Sequence, residues 1–169
     1  MKHTFNWYAI HTRSRHEFKV VDRLMQNGVE VFLPTVERIS VWKDRKKKIA
    51  FPLFPGYLFV RIIPTYETLI TVLQTIGVVC FLGIKPLEPE AVGDNEINSL
   101  KLIVDNKYEV DPYPFLKKGQ RVRVKRGALM GVEGFLVEKS GKHSLVLSVD
   151  VLKEGIALKI DASDVEAID

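Results

Sequence analysis

The sequence predicts an α+β chain in two parts: a mostly antiparallel sheet packed with helices, then a small β-barrel of about five short strands. Three observations predict it. Up to residue 104, short runs of β-branched and aromatic residues alternate with stretches of helical apolar spacing. Residues 105–117 contain two prolines and no helical or strand period, so they read as a linker. Beyond residue 118, glycines at 119, 127, 131, 134, 141 and 155 punctuate short apolar runs. Each would cost about 1 kcal/mol relative to alanine inside a helix, so short strands fit better.

Each element follows from its residues. Trp7 to Ile10 reads as a strand. Ser14 stands three residues before Glu17, the spacing of a capping box, with apolar Phe18, Val21, Leu24 and Met25 following at helical intervals and Gly28 just past the helix end. Val29 to Leu33 and Val36 to Trp42 read as strands around Pro34, and the charged residues 43–48 as a hairpin tip. Gly56 to Ile63 is nearly all apolar, which marks a central strand. A helix over Thr65–Gln74 points Leu69, Val72 and Leu73 inward. The strand 78–82 follows Gly77, and a last helix over 94–104, capped by Asp94, buries Ile97, Leu100 and Val104. In the second part, Val122 with Val124, then 135–137, 145–152 and 156–160, read as strands. The expected division is therefore 1–104, a linker 105–117, and 118–169.

The 169 residues are 46% apolar and 27% charged, enough for a core in a soluble chain. No apolar run approaches the roughly 20 residues of a membrane span, and the start of the chain turns polar too soon for a secretory signal. The expectation is a cytoplasmic monomer without membrane contact. Cys80 sits in an apolar run, where a free thiol acts as a small hydrophobe. The net charge is +4. Residues 1–104 hold 14 Lys/Arg and 10 Asp/Glu, and residues 105–169 hold 11 of each. Any attraction to phosphate belongs to the first part.

Catalytic chemistry has little support. There is no phosphate-binding glycine loop, and His3, His11, His16 and His143 show no metal spacing. No metal, cofactor or catalytic residue is expected. Two basic groups stand out: Arg13, Arg15 and His16 with Lys19 at the first helix, and Lys43, Arg45, Lys46, Lys47 and Lys48 at the hairpin. The second is either a solvated tip or a finger along a nucleic-acid backbone, with Trp42 stacking on a base or packing on the sheet. In the strand 54–60, Tyr57 and Phe59 share one face, and Leu58 and Val60 the other. One face must meet the helices. The other is either covered within the domain or presented to a partner.

The segments WYAIHTRSRHEFKVVDRL, PLFPGYLFVRI and IGVVCFLG resemble the N-terminal domain of the NusG family. The tail GQRVRVKRGALMGVEGFLV resembles a KOW module, a small SH3-like barrel, with Gly127 at its characteristic glycine. WKDRKKKIAFPLFPGYLFV further resembles the specialised RfaH and UpxY-type paralogues, which act on selected long operons such as those for surface polysaccharides. The resemblance implies a non-catalytic elongation factor that binds the clamp helices of RNA polymerase, suppresses pausing and promotes antitermination. Tyr57, Phe59 and Phe81 match the polymerase surface, and His11 falls where RfaH has a tyrosine. Arg13, Arg15 and His16 match the region facing non-template DNA. Thr68-Leu69-Ile70 replaces a His-Thr-Thr contact of RfaH. Leu129 and Val132 take the places of two phenylalanines in the KOW partner loop, through which general NusG meets ribosomal protein S10 or Rho. The FGR-type segment of general NusG is replaced near Leu152-Lys153-Glu154-Gly155.

Two rivals remain at this stage. One is a general NusG that couples polymerase to Rho or the ribosome. The other is a ribosomal-type KOW protein that binds RNA, which the neutral charge of residues 105–169 disfavours. RfaH hides its polymerase site behind a tail folded as a helical hairpin. The glycine and valine content here favours a permanent barrel.

Overall fold

A computed structural model describes residues 4–168. In chain order the elements are β1 (Asn6–Thr12), α1 (Glu17–Gln26), β2 (Glu30–Phe32), β3 (Thr35–Trp42), β4 (Arg45–Pro52), β5 (Tyr57–Ile62), α2 (Tyr66–Leu73), β6 (Val78–Phe81), β7 (Gly83–Lys85), β8 (Glu88–Pro89), β9 (Ala91–Val92) and α3 (Asp94–Asp105). They continue with β10 (Asp111–Tyr113), β11 (Gln120–Val124), β12 (Glu133–Lys139), β13 (Lys142–Val149), β14 (Glu154–Lys159) and β15 (Val165–Ala167). The result is a mixed α/β fold with three helices and antiparallel strand pairs. Two compact units, Met1–Ile97 and Asn98–Asp169, divide the chain.

The first unit centres on a five-stranded sheet in the order β2-β5-β1-β6, with β9 also on β1. The apolar strand β5 is central, as its composition required. Directly opposed residues share a face. Ile10 opposes both Leu58 and Phe81, and Tyr8 and Val31 both oppose Val60. This face forms a core with Val20 and Leu24 of α1 and Leu69 and Val72 of α2. Leu58 and Val60 therefore hold the sheet to its helices.

Helix α1 departs from its expected phase. Glu17, Val20 and Leu24 are buried, while Phe18 and Met25 are exposed. Ser14 does not cap it. The N-cap is His16, without a side-chain cap bond, because Arg15 (φ 64°) turns the chain before the helix starts. The C-terminal end agrees with expectation: Gly28 has φ 77° and its N–H donates to the Met25 carbonyl. Helix α2 is capped by Thr65, whose hydroxyl accepts from the Thr68 N–H at 3.2 Å. In α3, Asp94 is the first helical residue, and Ile103 is buried in place of Val104.

Strands β3 and β4 form a two-stranded ribbon of their own. Trp42 opposes Arg45, so the turn is only Lys43 and Asp44, and Lys43 adopts φ 50°. The expected tip over 43–48 is thus too long: Arg45 to Lys48 lie in β4.

The second unit contains a six-stranded antiparallel sheet, β10-β14-β13-β12-β11-β15, one strand more than expected. Two strands lie outside the segments read as strands: β15 near the end of the chain, and β10 inside the stretch read as a linker. A proline lacks an N–H donor but is tolerated at a sheet edge, and Pro112 sits at such an edge opposite Ile156. Leu116 is also tied to the sheet, since its N–H donates to Ser148 Oγ at 2.9 Å and its carbonyl accepts from that hydroxyl at 2.8 Å. The run expected as a strand to Leu152 ends at Val149, and Leu152 turns inward from a loop.

Candidate functional site

The second face of the first sheet carries Trp7, Ala9 and His11 of β1. Opposite them stand Arg61, Phe59 and Tyr57 of β5. Most of this face is covered. Phe59 is 0% exposed, with Phe32 stacked at 6.1 Å and Trp7 edge-on to Phe32 at 6.3 Å. Phe59 is a core residue, so its expected availability to a partner is corrected. Phe81 is corrected too: it is 4% exposed and packs on the helix side against Ile10.

Tyr57 and His11 are less covered than Phe59 and Phe81. Both are half-buried, at the end of their strands, and their rings lie 5.2 Å apart at an interplanar angle of 30°. Cys80 opposes His11 on the other side and is half-buried as a free thiol. Tyr57, His11 and Cys80 thus form one row across three strands, the open end of an otherwise covered face.

The turn before Tyr57 sets this row. Gly56 has φ 86°, a conformation that favours glycine. A Cβ there would lie 3.5 Å from the His11 ring. The Gly56 N–H donates to Glu17 Oε1 at 3.2 Å, and its carbonyl accepts from the Thr12 N–H at 2.8 Å. Glu17 is buried and bridges α1 to this turn. Its capping-box position concealed that role. The signal was present in the spacing 17, 20, 24, which puts Glu17 on the buried stripe of the helix.

The basic residues fall into two places. Arg13 and Arg15 are exposed and His16 half-buried in the turn into α1, where the Arg13 N–H donates to the Gly77 carbonyl at 2.8 Å. Lys43, Arg45, Lys46, Lys47 and Lys48 are exposed on the β3–β4 ribbon. Trp42 is 73% exposed, so it does not pack on the sheet. In the second unit, Leu129 and Val132 are 4% and 1% exposed. They anchor their loop from inside, and the exposed large apolar residue of that loop is Met130. The short turn forces this alternation, since the Val132 N–H donates to the Leu129 carbonyl and the Met130 N–H to the Gly127 carbonyl.

Residues 5–101 match the family model described as "NusG: Transcription termination factor nusG". That is more than half of the chain. The protein belongs to the NusG family. It is 26% identical to the transcription termination/antitermination protein NusG of Halalkalibacterium halodurans, over 96% of this chain and 98% of that one. Identity to NusG of Staphylococcus aureus is 28% over 96% and 95%, and to NusG of Pseudomonas aeruginosa 25% over 96% and 98%. A solved structure titled "Domain interaction in Thermotoga maritima NusG" superposes with a TM-score of 0.61 at 23% identity, covering 98% of both chains. This NusG-family chain is a non-catalytic factor of transcription elongation, termination or antitermination. No helix among the described residues is long and apolar enough to cross a membrane.

Proposed function

We propose that this NusG-family chain binds RNA polymerase at the clamp helices, suppresses pausing and promotes antitermination on selected long operons, such as those for surface polysaccharides. The observation that carries the polymerase contact is the tilted Tyr57–His11 ring pair at the open end of the second sheet face. It joins an aromatic surface to a rigid strand that is anchored below by buried Leu58 and Phe59. Phe59 and Phe81 act behind that surface as packing. Arg13, Arg15 and His16 face the non-template DNA strand, and the β3–β4 ribbon adds cations. Residues 1–104 act as the polymerase-binding domain. Residues 118–169 are a KOW module, joined through 105–117, and the six-stranded sheet supports it. The exposed Met130 is its contact for a further partner such as ribosomal protein S10 or Rho. The factor works as a cytoplasmic monomer.

Co-purification with RNA polymerase tests the contact. Wild type should retain polymerase, and Tyr57→Ala and His11→Ala should each lose most of it while keeping the wild-type circular dichroism spectrum. Unchanged retention by both variants would overturn the assignment. A second reading, a general NusG factor, is favoured by the names and near-complete coverage of the relatives. It predicts a growth defect across many transcripts on deletion, whereas the operon-specific role predicts loss of long transcripts from few operons.

A further inference from the structure

The second unit contains a cleft that none of the contacts above uses. Pro112 and Tyr113 of β10, Pro114 just after it, and Glu154 and Gly155 at the start of β14 line a volume of about 360 Å³. That is near the lower end of small-ligand sites, which span roughly 300–1,000 Å³.

Its walls are held in place. Tyr113 opposes Gly155 in the β10–β14 ladder. A Cβ at Gly155 would lie 3.0 Å from the Tyr113 carbonyl oxygen and 3.3 Å from that of Pro114, so the glycine lets this segment lie close against β14. The two hydrogen bonds between Leu116 and Ser148 fasten the chain just beyond it. A site with fixed walls loses little ordering entropy on binding.

Glu154 gives the cleft its chemistry. Its side chain is half-buried, and burial pushes its pKa up. Among the described residues it makes no ion pair and no side-chain hydrogen bond. The neighbouring cations are engaged elsewhere. Lys117 pairs with Asp150 at 3.7 Å, and the ammonium groups of Lys117 and Lys153 lie over the Phe115 ring at 5.7 and 5.1 Å. A partly desolvated carboxylate without a partner is unfavourable until a cation pairs with it.

We propose that this cleft binds an arginine side chain of a partner protein, with the guanidinium between Glu154 and the Tyr113 ring and the methylene stem over Pro112 and Pro114. The charge of the free carboxylate selects a cation. A guanidinium suits this pair of groups better than an ammonium, because its planar fork meets a carboxylate through two N–H donors and stacks on an aromatic face. The prolines offer apolar surface to the stem. The cleft lies outside the first unit and outside the 129–132 loop, so the inference goes beyond both proposed contacts and does not rest on them.

The isotope-labelled full-length protein is titrated with the capped tripeptide Gly-Arg-Gly, its lysine counterpart and its citrulline counterpart, the last a neutral isostere of arginine, and amide shifts are followed by NMR. With the arginine peptide, shifts should centre on Tyr113, Glu154 and Gly155 and saturate at millimolar concentration. The lysine peptide should bind a few-fold more weakly, and the citrulline peptide about tenfold. Glu154→Gln should weaken arginine binding about tenfold while melting no lower than wild type, so its lost binding does not report unfolding. Tyr113→Leu should weaken it a few-fold, and Tyr113→Phe, which keeps the ring, should bind as wild type does. Glu138→Gln, which alters an exposed carboxylate of the same unit, should also bind as wild type does. Shifts absent from the cleft, equal binding by Glu154→Gln and wild type, an equal loss in Glu138→Gln, or equal binding of the lysine or citrulline peptide would overturn the inference.

Discussion

Replacing Phe59 by alanine separates core from surface in the strand that carries the site. Phe59 is fully buried and stacks on Phe32. Truncating a buried phenylalanine removes its transfer energy and leaves a cavity, costing about 3–5 kcal/mol. Tyr57 is two residues away, half-buried at the sheet end, and its truncation should cost about 1 kcal/mol. Urea unfolding can read the difference through Trp7, which is buried and touches Phe32 edge-on. A Trp42→Phe background removes the exposed tryptophan signal. With a slope of about 2 kcal/mol/M, Phe59→Ala should lower the midpoint by about 1.5–2.5 M and Tyr57→Ala by about 0.5 M. Equal midpoints for the two variants would refute the assignment of Phe59 to the core. Loss of polymerase by Phe59→Ala would then report a binding contact rather than unfolding.

Other substitutions test neighbouring features. Glu17→Ala leaves the buried Gly56 N–H without an acceptor and should cost about 1–3 kcal/mol, whereas Glu17→Gln keeps an acceptor oxygen and should recover most of it in thermal unfolding. Glu154 has its pKa raised by burial, so the carboxylate disfavours folding once it ionises. Stability from this group is present at low pH and lost as pH rises through the folded pKa. Glu154→Gln should therefore raise Tm near pH 7 and leave it unchanged near pH 3, where a carboxyl is neutral in both states. Helices occupy 10, 8 and 12 residues, so far-ultraviolet circular dichroism of the full-length protein should be dominated by strand. A helical excess would show that the tail adopts a helical hairpin instead.

Much of this fold was legible because the first sheet is coded by simple periods. The apolar run of β5 and the left-handed Gly28 each announce themselves locally. What escaped depends on partners distant in sequence. Glu17 looks like a capping-box residue until Gly56, 39 positions away, is seen to donate to it. Pro112 looks like a breaker until β14 supplies an edge that tolerates it. The site was legible in part for the same reason. Alternation put Tyr57 and Phe59 on one face, but could not show that Phe32 covers Phe59 and leaves Tyr57 open. Leu129 and Val132 were equally opaque, since inward and outward apolar residues in a loop follow no period.

The measurement closest to the central claim is the lifetime of a defined pause, with purified RNA polymerase and this protein. Wild type should shorten the pause, and Tyr57→Ala, folded but with an altered aromatic row, should leave it near the value for polymerase alone. A pause that wild type does not shorten, or that Tyr57→Ala shortens equally, would contradict the account.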